Sequence, residues 1–347
     1  MLGGGVFVTQ NKVLPGSYIN FVNATKATSS IGERGTVAIA LALNNEDTAG
    51  KVIELTMLDL VSDCKNITGY DYTAKEVAPL REIFCNANKV YVYDLGTNKT
   101  VADAVSALEA YDFNVLCAYT ADEADITQYI SSVKSWRDEM GKKCQLVVYN
   151  TSGVNHEGVI NVVSGISDED APSYALVAWV AGAEAGCEIN ASCTNKLYDG
   201  EYTIVANKTQ SQLETCIKNG EIAFHLVYGE IRLLEDINTL TTTTADKGED
   251  FKSNQTIRII DQIANDIAKL FNTKYLGRIP NNQSGRMSLW GDIVAHHKEL
   301  ERIQAIENFD AELLTVEQGA NKKSVVVNDA VTPLNAMAQL YMTVVVQ

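Results

Sequence analysis

No run of apolar residues in this 347-residue chain approaches the ~20 that a membrane-spanning helix requires. The longest candidate, Tyr174 to Gly186, is broken by Gly182 and Glu184. No basic segment followed by an apolar one opens the chain, so synthesis and folding in the cytoplasm are expected. Positive charge is scarce too. With 28 Lys and Arg against 44 Asp and Glu, the net charge is −16, which would repel a nucleic-acid backbone or an anionic membrane. The seven cysteines are an odd number and include no C-x-x-C pair. Most sit in apolar runs such as Val115-Leu116-Cys117-Ala118, where a free thiol behaves as a small hydrophobe, so a reducing compartment and no metal site are expected. No G-x-G-x-x-G or Walker pattern occurs, and Gly3-Gly4-Gly5 precedes no strand-to-helix phosphate turn; no cofactor is expected.

What is present is 46% hydrophobic residues, enough for a full core and two or three domains. Residues 1–30 read as an arm, because after Pro15-Gly16 the chain alternates, with Ile19 and Phe21 on one face and Tyr18, Asn20 and Val22 on the other. Residues 31–87, with strands at Thr36–Ala42 and Val52–Leu55 and a helix at Pro79–Asn86, predict a small β-containing domain. Residues 88–245 alternate strands (Lys89–Tyr93, Asn114–Tyr119, Gln145–Tyr149, Val159–Val163) with helices (Thr100–Tyr111, Glu123–Met140, Ser173–Cys187), the pattern of a parallel sheet wrapped by helices. Asp122 or Thr120 can cap the second helix, and Gly141 ends it. A hairpin turning at Gly229-Glu230 follows.

Residues 246–336 predict an α+β unit with helices Asn254–Tyr275 and Met287–Glu307 and strands Leu313–Glu317 and Ser324–Asn328. Residues 337–347 predict a second arm, an uncharged strand with Leu340, Met342, Val344 and Val346 on one face and Tyr341, Thr343 and Val345 on the other. The fold class is therefore multidomain, α/β followed by α+β. Long apolar edge strands template aggregation unless they are paired. Two such arms are expected to pair within the chain or with a neighbouring copy, and a head-to-tail contact that does not close makes a helical polymer.

An α/β enzyme is the alternative. Asp94 follows the first strand of the wrapped sheet, but His156 lies in a loop and neither Ser152 nor Ser164 has a nucleophile turn, so a serine-hydrolase triad is incomplete and no catalytic residue is expected. His296-His297 suggests a metal, yet adjacent helix positions diverge by about 100°, so His296 is expected to line the inner stripe and His297 to flank it.

The run Gly277-Arg278-Ile279-Pro280-Asn281-Asn282 with Gly285-Arg286, and the ending Val331-Thr332-Pro333-Leu334-Asn335-Ala336-Met337-Ala338-Gln339-Leu340-Tyr341-Met342-Thr343-Val344, resemble the C-terminal domain of contractile tail sheath proteins. Pro15-Gly16-Ser17-Tyr18 resembles that family's N-terminal arm, and Asp236-Ile237-Asn238-Thr239-Leu240-Thr241-Thr242 its hairpin exit. The resemblance implies a subtilisin-like α/β middle domain and assembly as stacked hexameric rings around a tail tube, linked by strand exchange. It also implies a structural role in a phage or bacteriocin-like particle released by lysis, with tube, baseplate and tail-end or collar proteins as partners. The chain is short, like sheaths of phage-tail-like bacteriocins such as pyocin or diffocin. The interface residues it implies are Tyr18, Ile19, Phe21, Val22, Leu340, Tyr341, Met342, Val344 and Val346. Hinges are expected near residues 23–34 and 329–336. Arg278, Arg286, Lys298 and Arg302 either face an acidic tube or pair with Glu299, Glu301 and Glu307 on their own surface.

Overall fold

The computed structural model describes residues 31–346, so the arm positions Tyr18, Ile19, Phe21 and Val22 lie outside the described residues. One seven-stranded sheet organises the first two thirds of the chain. Its strands are β1 (Thr36–Leu41), β2 (Val52–Thr56), β3 (Lys89–Asp94), β4 (Val115–Cys117), β5 (Gln145–Tyr149), β6 (Val159–Val162) and β7 (Glu221–Ile222). They lie in the order β2-β3-β1-β4-β5-β6-β7, and every neighbouring pair is parallel except β2 with β3.

Strands buried on both faces need apolar residues at every position. In β1, Val37, Ile39 and Leu41 join one core layer, while Ala38 and Ala40 join the other. Helices α1 (Met57–Thr68) and α2 (Ala78–Phe84) contribute Leu60, Leu80 and Ile83 to the first layer. Helices α3 (Val101–Leu108) and α4 (Glu123–Ser135) cover the second through Ala104, Leu108, Ile126, Tyr129 and Val133. The α4 cap is Asp122, which accepts from the N–H groups of Ala124 and Asp125, and the helix runs through a π turn to Gly141 at φ 77°. Helix α5 (Leu176–Gly186) is buried along nearly its whole length. A Cβ on Gly182 would stand 2.3 Å from the Ile83 carbonyl oxygen, and one on Gly186 1.9 Å from that of Asn86. Gly182 within the apolar run and Gly186 at its end thus let α5 lie backbone to backbone on the end of α2.

The expected boundary between residues 87 and 88 does not separate two units, because β1 is hydrogen-bonded between β3 and β4 inside the same sheet. Pairing so distant in sequence outweighs the local compositional change. Helix α6 (Gln210–Lys218), capped by Thr209 with Gln212, precedes β7. The expected hairpin is shorter than its apolar run: β8 (Phe224–Val227) pairs with β9 (Glu230–Leu233) across Tyr228 and Gly229, both at positive φ. Beyond them α7 (Asn254–Leu270) continues through a π turn, Phe271–Tyr275, and α8 (Gln283–Arg302) packs beside it. The chain then forms β10 (Ile306–Glu307), β11 (Thr315–Gln318), β12 (Val325–Asn328) and β13 (Thr332–Pro333). Pairs β10–β13 and β11–β12 are separate two-stranded sheets.

Candidate assembly site

The expected C-terminal arm is not a strand within this chain. Residues 337–346 pair with no strand among the described residues, and Leu340, Tyr341, Met342, Val344 and Val346 are exposed, Leu340 at 86% and Val346 at 91%. The reason is physical: a strand needs a partner edge, and no sheet edge among the described residues accepts this one.

The root of the arm is, by contrast, fixed. Leu334 N–H donates to the Ala305 carbonyl at 2.9 Å, Ala336 N–H donates to Gln255 Oε1 at 2.9 Å, and Asn335 Oδ1 accepts from the hydroxyls of Ser253 at 3.3 Å and Thr256 at 3.2 Å. The hinge expected over 329–336 is therefore pinned at its C-terminal end, and free chain begins at Met337. The opposite terminus of the described chain is held by the same helix. Gly32 N–H donates to both carboxylate oxygens of Asp266 at 3.2 and 3.1 Å, and Arg34 Nη1 donates to Gln262 Oε1 at 3.3 Å. Helix α7 thus carries both roots.

That helix also docks the C-terminal third on the large sheet through buried charge. Arg258 Nη2 lies 2.6 Å from Glu184 Oε2 and 3.2 Å from Asp236 Oδ2, all three side chains at 0–1% exposure. Arg137 binds Asp261 with both terminal nitrogens, at 2.5 and 2.9 Å. Burial, reinforced by the neighbouring Asp236, pushes Glu184 well above the usual carboxylate range. Burial works against Asp236, but the Arg258 guanidinium together with hydrogen bonds, that from Cys193 N–H among them, outweighs it and holds that carboxyl low. The cluster is therefore an Arg258–Asp236 ion pair with Glu184 as a neutral acid beside it.

Two groups of described residues bring metal-ligand types together, Glu184 with Cys193 and Asp236, and Asp138 with His156 and Glu157. In the first, Arg258 already supplies the positive charge. In the second, His156 Nδ1 accepts from Gly158 N–H at 2.9 Å, which puts the imidazole proton on Nε2, 3.3 Å from Asp138 Oδ2. That tautomer has no lone pair for a metal at Nε2. His156 is held below its usual value, with burial the main cause. A neutral native imidazole stabilises the fold above the unfolded value near ~6.5, and this contribution is lost as pH falls through the lowered native value. His156→Gln is expected to remove one contribution that lowers urea midpoints as pH falls below about 6.5, so that its midpoints gain relative to those of the unaltered chain in that range. An unchanged pH profile in the variant would rule His156 out. Glu82, pushed up to about 7 chiefly by burial, acts with opposite sign between its unfolded value and about 7, which is why the comparison uses the variant.

The hydrolase constellation does not assemble. Asp94 ends β3, and its carboxylate accepts from Leu43 N–H, Gly96 N–H and the Thr48 hydroxyl. His156 precedes β6, at the other end of the parallel sheet, while the Ser164 hydroxyl accepts from Phe224 N–H. His297 does not flank the inner stripe as expected. It is as buried as His296, with the two Nδ1 atoms 3.3 Å apart and the Nε2 atoms on Asp266 and Asp329 at 3.0 and 2.7 Å. Sequence reading missed this pair of contacts because Asp329 lies beyond a hairpin. Of the basic candidates, Arg302 pairs with Glu299 at 2.6 Å, Arg286 donates to Asn281, Arg278 donates to the Thr273 carbonyl, and Lys298 is exposed.

The described residues thus place an α/β sheet, a long helix and an apolar, exposed arm in succession. Residues 95–239 match the phage tail sheath protein central domain, and residues 246–347 the phage tail sheath C-terminal domain. The chain belongs to the tail sheath family, whose members are structural proteins and not enzymes. The tail sheath protein of Clostridium phage phiCD119 is 28% identical over 85% of this chain and 83% of its own. The crystal structure of a sheath tail protein from Desulfitobacterium hafniense, 25% identical, superposes with a TM-score of 0.80 over 94% of this chain and 99% of that one. The helical sheath of the anti-feeding prophage in its contracted state shares the fold, at 17% identity and a TM-score of 0.69 over 95% and 99%. Two Bacillus subtilis relatives, YqbK and the PBSX protein XkdK, are longer, and the chain spans 58% and 56% of them.

Proposed function

We propose that this chain is the repeating subunit of a contractile sheath, stacked as hexameric rings around a tail tube and shortening to drive the tube through a cell envelope. The observation that carries the reading is the C-terminal arm, which is apolar, alternating, exposed and unpaired in the isolated subunit. Such a segment gains its hydrogen bonds by adding to a sheet of another copy. The small β11–β12 sheet suits it as an acceptor, being two-stranded and exposing Val326 and Val327. The α/β part would be the subtilisin-like domain of the family, and residues 1–30 the second arm. The arms would persist as tethers during shortening while polar contacts between neighbouring subunits are exchanged. Baseplate and tail-end proteins would close the two ends, in a phage tail or tail-like particle made in the bacterial cytoplasm and released by lysis.

Negative-stain microscopy of the purified full-length chain tests this. Long hollow cylinders are the expected result, and discrete small oligomers would overturn it. Among the basic candidates, Lys298 is the proposed tube contact, since Arg302 and Arg286 are engaged on their own domain. Lys298→Glu is expected to weaken co-assembly with the tube while leaving cylinder formation intact.

A further inference from the structure

The loop after α5, from Cys187 to Cys193, is a wedge between the sheet domain and the C-terminal third. Ile189 is buried with Ile259 of α7 and Leu300 of α8, Asn190 Nδ2 donates to the Ile303 carbonyl at 2.8 Å, and the Ala191 carbonyl accepts from Arg258 Nη1 at 2.7 Å. Both ends of the loop converge on one atom. The Ala183 carbonyl oxygen accepts from Cys187 N–H at 2.9 Å and lies 3.5 Å from Cys193 Sγ. Cys193 Sγ also lies 4.0 Å from Arg258 Nη2; Cys193 is sealed in the core and Cys187 is half-buried.

We propose that Cys187 and Cys193 are a redox-active dithiol, a modification site at which a low-molecular-weight disulfide installs an intramolecular disulfide that staples this wedge. The Cys187 thiolate attacks one sulfur of the reagent, a Cys187–S bond forms, and the other half leaves as a thiolate. The Cys193 sulfur then attacks Cys187 Sγ, breaking the mixed disulfide, and its proton leaves with the second half. The protein gives up two electrons and the reagent is reduced to two thiols.

The surroundings make the reaction selective. The neighbouring Cys193 thiol holds the Cys187 thiol down at about 7, with the Arg258 and Arg34 guanidiniums assisting. Burial pushes Cys144 up to about 11, and the exposed Cys85 rises to about 12 through desolvation and the carboxylates beside it. In a reducing cytoplasm the pair stays open, and it closes in an oxidising medium. This chemistry is a property of the single subunit and stands whether or not the chain forms a sheath.

The full-length chain is treated with oxidised glutathione and examined by intact mass and peptide mapping. The expected product has lost two hydrogen atoms and yields a Cys187–Cys193 cross-linked peptide. Cys193→Ser is expected to retain glutathione on Cys187, and Cys187→Ser to take up none and form no cross-link. Closing so short a loop is expected to raise the thermal midpoint by on the order of 5 °C, reversibly with reductant. A stable glutathione adduct on the unaltered chain, a cross-link mapping elsewhere, or both thiols remaining open to alkylation would overturn the proposal. The map of the unaltered chain decides the matter even where a serine variant folds poorly.

Discussion

Removal of residues 337–347 is expected to give a folded, monodisperse subunit that builds no cylinders. Residues 337–346 contribute nothing to the hydrophobic clusters among the described residues and stand in solvent. Thermal midpoint and circular dichroism should therefore match the full chain. Assembly loses far more. A strand of ~6 residues forms about as many backbone hydrogen bonds, each worth ~0.5–1.5 kcal/mol net, and buries Leu340, Met342, Val344 and Val346 at ~25 cal/mol per Å². The sum of several kcal/mol per junction exceeds an exposed ion pair, worth at most ~1 kcal/mol, so rim contacts cannot compensate. Light scattering at matched concentrations, followed by negative stain, makes the comparison. Ordered cylinders from the truncated chain would remove the arm from the assembly mechanism.

Arg258→Met is expected to cost about 3–5 kcal/mol of folding stability, because it strands the Asp236 carboxylate in the interior without its counter-charge. For a domain of this size that lowers the thermal midpoint by roughly 10 °C. Changing all three residues together, Arg258→Met with Asp236→Asn and Glu184→Gln, is expected to recover much of the loss, since an apolar or neutral replacement of the whole cluster removes the desolvation cost along with the attraction. A midpoint that barely moves in the single variant would mean that the interior rearranges or admits water around Asp236. A triple variant no more stable than the single one would place the loss in packing instead of charge.

These effects depend on contacts of very different sequence range, and so did their legibility. The alternation of strands and helices from Lys89 to Gly186 could be read because the short continuous apolar runs of the strands, the Asp122 cap and the Gly141 stop are local. The capping boxes at Thr56 with Asp59 and Thr209 with Gln212 were equally local signals for α1 and α6 and were passed over, partly because the exposed Met57, Leu58 and Val61 blur the apolar face of α1. The place of β1 between β3 and β4 was not legible: a strand buried on both faces announces burial and says nothing of its neighbours. The Arg258 cluster draws its partners from 74 and 22 residues away, and His297 meets an aspartate 32 residues on, so no spacing rule finds them. The arm was legible in composition, but its lack of a partner among the described residues appears only once their sheet edges are placed.

Helix α7 grips both ends of the described chain, the C-terminal root through Ser253, Gln255 and Thr256 and the N-terminal root through Gln262 and Asp266. The grips lie on the order of 10–15 Å apart along its axis at ~1.5 Å per residue. A pull arriving through one arm can leave through the other along a single helix, without stretching the seven-stranded sheet. Arg258 and Asp261 sit between the two grips and tie that line of tension sideways into the sheet domain, so the bulk of the subunit is carried along as ballast. If the proposed arms bear load, the few neutral hydrogen bonds at Asn335 and Ala336 would yield before the charged interior.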